Sequence, residues 1–370
     1  MFGFMLQKQL RAAAIQCEAV HEDISAGMFR ALSNLNVATR TYYNSKIFDS
    51  RGDFFAELPV EGLDARYVSY EGAPAWDAVA DAIRRQRANF IFANTFQRDG
   101  VARWMKQFDL PIMGIVHNPD ILRESEHAMD LIREGRVFAF GLAQHVVTKI
   151  VDTVPELSGR CAVYNPAYWM DPARNEFDPD DNRRTILIPG AVDYKNRDFE
   201  RLVAYLASGK LKTEVPVVFQ VFTGGPDRQR LEQDIAKNGL EDHFELAPLD
   251  PVTGKVPHNR YLAALRRCDA LMLLLPESRK DYLTNKLTTG VAAGMGSMRP
   301  IIAPDIYGRV YGVPTLATPT DSPFDISSLD LSAANLRAHQ STMSKLWNNV
   351  MFDNQIAAYK GLVKLGILKG

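Results

Sequence analysis

Cysteine is scarce in this chain, and its cysteines are not closely paired. Three cysteines occur among 370 residues, at Cys17, Cys161 and Cys268, with no C-x-x-C spacing. This pattern argues against a disulfide framework or a structural zinc site, and it suits a reducing cytosol.

Long hydrophobic runs are also missing. The longest strongly apolar run, ALMLLLP at residues 270–276, is far too short to span a bilayer. The amino terminus, MFGFMLQKQLR, lacks the basic start, apolar run and small-residue cleavage site of a signal peptide. We therefore expect a cytoplasmic protein, and we leave open a peripheral contact with the inner face of the membrane.

The chain has almost no net charge. It holds 43 Lys and Arg against 44 Asp and Glu, a formal net charge of −1. A nucleic-acid partner is therefore not expected. The acidic run DPDD at residues 178–181 reads more readily as a solvated turn than as a ligand set, so we expect no bound metal.

What the sequence does have is a regular alternation of short apolar runs with helical patterns. Runs such as RAAAIQC, ANFIFAN and PIMGIVHN are typical of buried strands, and helices separate them. The alternation stops in a polar, Pro-containing linker at residues 167–184 and then starts again. We predict an α/β protein with two parallel sheets in series: one domain at residues 1–170, a second at 184–330, and two carboxyl-terminal helices within 331–370. Whether those helices pack back on the first domain stays open.

Ligands of such domains bind beyond the carboxyl ends of the strands. In the first half, His117 directly follows PIMGIV, where its ring could bond a ligand's hydroxyl or phosphate, or only its own loop. The loop after the first strand, CEAVHED, lacks the G-x-G-x-x-G fingerprint of dinucleotide binding. Its acids could hold a base, bond a sugar or cap the next helix, with Asp23 as the capping residue.

In the second half, two strand ends carry candidate binding residues. Lys195 and Arg197 lie in GAVDYKNRD just before a helix, an arrangement suited to a pyrophosphate but also found in solvated basic loops. Gly224 belongs to the Gly pair of TGGPDRQR, which permits close backbone approach and is weak evidence alone.

A third strand end leads into KDYLTNKLTTGVAAGMGSMRP at residues 280–300. We expect an amphipathic helix that starts in this stretch with Asn285 and Lys286 and leads to the strand PIIAP. The open question is whether the stretch is a plain helix-to-strand turn or a ligand site.

The order of motifs in the second half resembles the donor-binding domain of GT-B glycosyltransferases, especially the family 4 group that uses nucleotide sugars. The matching segments are IPGAVDYK, VVFQVFTGGPDRQRLE, YLAALRRCDALMLLLP and AAG followed by PIIA; in the first half VHNPD matches more loosely. The resemblance spans roughly residues 110–305. It implies a GT-B architecture of two Rossmann-like domains facing each other across a cleft.

The resemblance also implies roles for individual residues. Lys195 falls near the family's phosphate-binding Lys, with Arg197 as a substitute partner, and His117 falls at the donor-sugar His. If AAG at residues 292–294 stands for the family's A-x-G, then Asp281 and Thr289 occupy the positions of two Glu residues. Asn285 and Lys286 match a variant N-K-L form of this helix.

We therefore expect a glycosyltransferase that moves a sugar from a nucleotide diphosphate donor to a glycan, lipid-linked or polysaccharide acceptor. His117 and Asp281 are the catalytic candidates. The donor-binding candidates are Lys195, Arg197, Gly224, Asn285, Lys286 and Thr289. No cofactor or metal is expected, since the basic residues would neutralise the diphosphate. A non-catalytic glycosyltransferase-like binding protein, or a sugar-nucleotide epimerase, are the alternatives.

Overall fold

A computed structural model describes residues 9–168, 170, 177–179 and 182–369. Most of the amino-terminal segment used to assess a signal peptide lies outside these residues, as do Asp180 of the acidic run and part of the expected linker. Within the described chain, no helix combines the length and the apolar character needed to cross a membrane.

The described chain divides into two compact units that are interleaved in sequence. The first consists of the described parts of Met1–Asp49, Pro59–Pro166 and Met351–Gly370. The second consists of Ser50–Leu58 and the described parts of Ala167–Val350.

The strands and helices follow the expected alternation. The strands are β1 (Leu10–Gln16), β2 (Val37–Asn44), β3 (Leu63–Asp64), β4 (Tyr67–Val68), β5 (Phe90–Ala93), β6 (Ile112–Val116), β7 (Val137–Gly141), β8 (Cys161–Val163), β9 (Arg184–Leu187), β10 (Val217–Val221), β11 (Phe244–Leu246), β12 (Ala270–Met272), β13 (Ile301–Pro304) and β14 (Thr315–Thr318). The helices are α1 (Glu22–Asn34), α2 (Ser45–Arg51), α3 (Phe54–Glu57), α4 (Ala73–Gln86), α5 (Asp99–Met105), α6 (Pro119–Glu124), α7 (Glu126–Arg133), α8 (Gln144–Thr153), α9 (Phe199–Ala207), α10 (Arg228–Asn238), α11 (His258–Arg267), α12 (Asp281–Thr284), α13 (Thr289–Ser297), α14 (Asp305–Tyr311) and α15 (Ala333–Lys364).

The first unit is built on a parallel sheet in the order β3-β2-β1-β5-β6-β7-β8, with β4 also paired to β2. β1 is an inner strand of this sheet, and its Ala12, Ala13 and Ala14 are fully buried. The small side chains suit a strand covered by helices on both faces. The strand order reverses between β1 and β5, so the loops that leave these two strands diverge and open a crevice at the carboxyl edge.

The second unit repeats this plan with a parallel sheet in the order β11-β10-β9-β12-β13-β14. Apolar side chains from β9 and β10, such as Ile186 and Phe219, form one buried cluster with Phe199 and Leu202 of α9. Here the order reverses between β9 and β12, which predicts the position of a second crevice.

The expected pair of carboxyl-terminal helices is wrong in one respect, because the structure has one continuous helix, α15, of 32 residues. No Gly or Pro interrupts residues 350–353, so nothing in the sequence ends the helix there. The part up to Val350 belongs to the second unit, and the part from Met351 onward belongs to the first.

A reciprocal pair of hydrogen bonds fixes the last part of α15 to the first unit. The main-chain N–H of Asn165 donates to Oδ1 of Asn354 at 3.0 Å, and Nδ2 of Asn354 donates to the carbonyl of Asn165 at 2.8 Å. Asn354 is fully buried. Its amide therefore pairs two main-chain groups in the segment that follows β8.

We expect Asn354→Ala to lower the free energy of unfolding by about 1–3 kcal/mol, because it removes both partners of Asn165 inside the protein. Urea unfolding at neutral pH measures the change. Asn349→Ala, an exposed position on the same helix, controls for the higher helix propensity of alanine and should leave stability nearly unchanged. Equal effects of the two variants would contradict this role.

Candidate functional site

The loop after β9 forms one wall of the crevice in the second unit. Gly190 has a φ of +91°, and the guanidinium of Arg197 lies so close over it that a Cβ there would collide. Arg197 is 7% exposed, with Nη1 donating to the carbonyl of Asn196 at 2.8 Å and Nε donating weakly to that of Pro189 at 3.4 Å. The loop therefore holds a nearly buried cation in a fixed orientation.

Lys195, in the same loop, differs from Arg197 in being exposed. Its main-chain N–H donates to Oδ1 of Asp193 at 2.9 Å, and this carboxylate also accepts from the main-chain N–H of Asn196 at 3.3 Å. Asp193 thus shapes the turn, while the Lys195 ammonium has no ion pair within the described part of the chain.

The loop after β10 is bonded to the loop after β9. Val192 N–H donates to the Gly224 carbonyl at 3.0 Å, and Thr223 Oγ1 donates to the Gly190 carbonyl at 2.7 Å. A Cβ on Gly224 would lie 2.6 Å from the carbonyl oxygen of Gly254, and one on Gly225 would collide with the Val192 main chain. The Gly pair therefore lets three loops pack closely. Gly224 contributes to this packing because it has no Cβ.

Arg279, Asp281 and Lys286 form an ion-pair cluster in the segment between β12 and α13. Arg279 donates to both oxygens of Asp281, at 2.9 and 2.8 Å, and the Lys286 ammonium lies 3.0 Å from one of them. The Arg279 guanidinium, followed by Lys286, lowers the pKa of Asp281 to about 2. The carboxylate is therefore charged at neutral pH and orients two cations, so its geometry favours positioning over the proton transfer expected of a catalytic acid.

Helix α13 begins later than expected. Asn285 directly follows the last residue of α12, and Lys286 lies in the connecting loop. Thr288 caps α13, because its side-chain oxygen accepts a hydrogen bond from the Gly290 N–H at 3.4 Å. The placement of Asn285 and Lys286 inside this helix is therefore wrong, because Thr288 supplies the cap. Thr289 is the first residue of α13 and is half-buried.

The amino end of α13 lies directly on the ends of β9 and β12. A Cβ on Gly290 would come within 2.9 Å of Pro189 and would collide with Leu273. The helix amino terminus, which attracts anions, is thus positioned at the reversal of strand order.

The ion-pair cluster and the β9 loop lie within electrostatic range of each other. Burial raises the pKa of Tyr307 on α14, and the charges of Asp281 and Arg197 both act on it as well. The carboxylate of Asp193 likewise contributes to the raised pKa of Arg279 after the larger effect of Asp281. Arg197 therefore lies near the cluster of Arg279, Asp281 and Lys286, and Lys195 belongs to the same loop as Arg197.

Sequence reasoning missed Arg279. It belongs to PESRK, directly after the apolar run that ends β12. A basic pair at this edge of a parallel sheet was the available signal, and a carboxylate two residues later could have indicated the ion pair.

His117 lies in the first unit, at the carboxyl end of β6. Its Nε2 is 2.6 Å from the Asn94 carbonyl, and its ring stacks on His21 at a centroid distance of 4.5 Å. Burial, followed by the charge of His21, lowers the pKa of His117 to about 3. Sequence reasoning had not paired these two histidines. It also placed the cap of α1 at Asp23, but His21 occupies that position and makes no side-chain cap bond.

Within the described residues, no group of three or more His, Cys, Asp or Glu side chains stands close enough together to hold a metal ion. The candidate donor-binding groups are instead cations and helix N–H groups.

No protein-family model matches the chain, and no curated protein matches it in sequence. Solved structures do match. A glycosyltransferase from Rickettsia africae ESF-5 has a TM-score of 0.61 at 12% identity, covering 96% of this chain and 99% of that one. Anabaena Alr3699/HepE in complex with UDP and glucose has a TM-score of 0.63 at 12% identity, covering 97% and 100%. Arabidopsis thaliana UGT89C1 complexed with UDP-L-rhamnose has a TM-score of 0.52 at 12% identity, covering 96% and 100%.

At such low identity the likeness shows the fold. Together with the two parallel sheets in series, it confirms the expected GT-B architecture of two Rossmann-like units. Membership of family 4 stays a prediction.

We expect Asp281→Asn to lower the free energy of unfolding by about 1–2 kcal/mol at pH 7, since it breaks the ion pairs with Arg279 and Lys286. The folded pKa of about 2 lies below the ordinary value of about 3.9. The stabilisation should therefore be present above about pH 4 and be lost as the pH falls toward 2. Denaturant unfolding of both proteins at pH 7 and pH 3 measures this.

The matched control is Asp305→Asn, which breaks an ion pair with Arg309 in which both side chains are more than half exposed. Its effect should stay below about 0.5 kcal/mol. A difference between Asp281→Asn and wild type that grows as the pH falls would contradict the assigned role of Asp281.

Proposed function

We propose that this protein is a glycosyltransferase that moves a sugar from a nucleoside diphosphate donor to a glycan, lipid-linked or polysaccharide acceptor. One observation carries the proposal: Arg197, Arg279 and Lys286 lie near the amino end of α13 at the strand reversal of the second unit, and Lys195 belongs to the same loop as Arg197. The fold, shared with proteins solved with UDP or UDP-L-rhamnose, supports a nucleotide-sugar donor.

The charge balance of the crevice suits a leaving diphosphate. Asp281 carries one negative charge against the two positive charges of Arg279 and Lys286, and its bonds hold both cations in place. Arg197 and Lys195 add further positive charge. Cations fixed before the reaction stabilise the charge that develops on the departing phosphate without reorganising.

These cations would stabilise the negative charge of the diphosphate, as a metal ion does in other phosphate sites. Arg197 is bonded to its own loop, so its guanidinium would meet the phosphate in an orientation that is already fixed. Lys195 is exposed, so its ammonium would move onto the phosphate when the donor binds. Thr289, the first residue of α13, and Asn285, four residues before it, are the candidates for bonding the donor's hydroxyl groups.

His117 is the candidate for contact with the reacting sugar. With a pKa of about 3, its ring is neutral at pH 7. It would then contribute by hydrogen bonding to a hydroxyl group rather than by charge.

A non-catalytic nucleotide-sugar-binding protein is the second candidate function. One observation favours this second candidate. Asp281, at the position of the family's first Glu, forms ion pairs with Arg279 and Lys286. Both candidates require donor binding, and they differ in whether sugar leaves the donor.

We expect Lys195→Ala to weaken binding of UDP at least about tenfold, because one charge-assisted contact to phosphate contributes on the order of 1.5–3 kcal/mol. Isothermal titration calorimetry at fixed ionic strength measures the dissociation constant. Lys210→Ala is the matched control: it is also exposed and lies before the amino end of β10. If both variants bind UDP as tightly as wild type, the phosphate role of Lys195 is ruled out.

We also expect release of free nucleoside diphosphate from at least one nucleotide sugar, with the rate unchanged by EDTA. The measurement is a coupled diphosphate assay across UDP-, GDP- and ADP-sugars, with and without glycan acceptors. Tight donor binding with no release from any donor would favour the non-catalytic alternative. Activity that EDTA abolishes and Mg²⁺ or Mn²⁺ restores would contradict metal independence.

A further inference from the structure

Asn94 joins two histidines at the carboxyl edge of the first unit's sheet. It follows β5 directly and is fully buried. Its main-chain carbonyl lies 2.6 Å from Nε2 of His117, and its side-chain Nδ2 donates to the main-chain carbonyl of His21 at 2.7 Å. One residue thus bonds the loop after β1 with its side chain and the loop after β6 with its main chain.

The orientation of the Asn94 amide is fixed by this contact. A carbonyl oxygen only accepts hydrogen bonds, so the atom facing His21 must be the amide nitrogen. Turning the amide over would place two oxygens 2.7 Å apart. Within the described chain, Oδ1 of Asn94 is buried and has no hydrogen-bond partner, so this side chain is held by its donor alone.

His21 needs such support because its backbone is unfavourable. Its φ of 71° lies in the left-handed region, which costs a residue other than Gly on the order of 1–2 kcal/mol. Its carbonyl accepts from Ile24 N–H at 3.1 Å as well as from Asn94. This conformation stacks the imidazole of His21 on that of His117, with 25° between the ring planes.

The contact with Asn94 also selects the tautomer of His117. Because the Asn94 carbonyl can only accept, Nε2 must carry the proton, and a neutral ring then has its lone pair on Nδ1. His117 has no other side-chain hydrogen bond among the described residues. The charged groups acting on it are His21 and Arg98, and Arg98 is paired with Glu18 at 2.8 Å.

We propose that Asn94 is a positioning residue: its main-chain carbonyl selects the Nε2–H tautomer of His117, and its side chain, through the stacked ring of His21, holds the His117 ring on that carbonyl, so that Nδ1 is presented as a neutral hydrogen-bond acceptor. The group that such an acceptor takes is a hydroxyl. That this hydroxyl belongs to a sugar rests on the proposed function, whereas the tautomer and the orientation of the ring do not.

The tautomer is tested without donor or acceptor, by ¹⁵N NMR of the full chain labelled at histidine. We expect the ring nitrogens of His117 to show a protonated Nε2 and an unprotonated Nδ1, unchanged between pH 5 and pH 8. A protonated Nδ1, or titration of His117 near its ordinary pKa of about 6.5, would overturn the proposal.

Two pairs of variants separate positioning from packing. Asn94→Asp keeps the size of the side chain and the main-chain carbonyl but cannot donate to His21, so the stack that holds the His117 ring on that carbonyl should loosen and the ring nitrogens should show a mixture of tautomers. His21→Ala should have the same effect, while His21→Phe keeps a stacked ring and should preserve the wild-type nitrogen shifts. Thermal melting identifies any variant that fails to fold. Comparison of the His117 nitrogen shifts in His21→Ala and His21→Phe then tests whether the stacked ring holds His117. If His21→Ala leaves the His117 shifts unchanged, the proposal is wrong.

A separate measurement of kcat and UDP affinity tests the role of Asn94 and His21 in sugar transfer. If the protein transfers sugar, we expect Asn94→Asp and His21→Ala to lower kcat at least about tenfold, with UDP affinity within twofold of wild type, because the proposed diphosphate site is in the second unit. A drop in UDP affinity with unchanged kcat would contradict a role at the reacting sugar. Failure of the proposed function would show as an inactive wild type with the His117 tautomer still as predicted.

Discussion

In both sheets every paired strand runs parallel to its neighbours, and the rest of the molecule depends on this constraint. Parallel strands need a crossover between them, so each strand delivers its carboxyl end to the same edge of the sheet. Where the strand order reverses, between β1 and β5 and between β9 and β12, the departing loops separate. The candidate residues in each unit follow the strands at that reversal or the strands next to them, where the departing loops leave space.

The two reversals differ in electrostatic character. In the second unit, Asp281 pairs with two cations, Arg279 and Lys286, and a helix amino terminus adds partial positive charge. In the first unit, His21 and His117 are stacked and burial lowers the pKa of His117. The first arrangement suits an anion, and the second suits uncharged polar groups. A nucleotide sugar contains both kinds of chemistry.

Most of the strands followed from the alternation of apolar runs with helical patterns, whereas the order of the strands in each sheet did not. The errors arose where local sequence is ambiguous. The run DARYVSY at residues 64–70 reads as one strand, but β3 and β4 are two short pairings with β2. The start of α13 was misplaced because Asn285 and Thr288 are both reasonable caps, and only packing against Pro189 and Leu273 selects the second.

The chemistry of single side chains was harder to predict than their location. Asp281 was a candidate from its position after β12, but its partner Arg279 was not identified, because an ion pair depends on side-chain directions that spacing alone does not give. The stack of His21 on His117 joins residues 96 positions apart. The stack depends on the left-handed backbone conformation of His21 in the loop after β1, which no local sequence pattern indicates.

The interleaving of the units has a consequence for how the chain is made. The first unit needs Asn354 and Gly361, which leave the ribosome after the segments of the second unit, and Gly361 lies against Phe138. The second unit needs Ser50–Leu58, which leaves before most of the first unit. The first unit therefore cannot be completed during synthesis until the second has emerged, and neither unit can be excised by a single cut. Removal of residues 351–370 would take away part of the first unit.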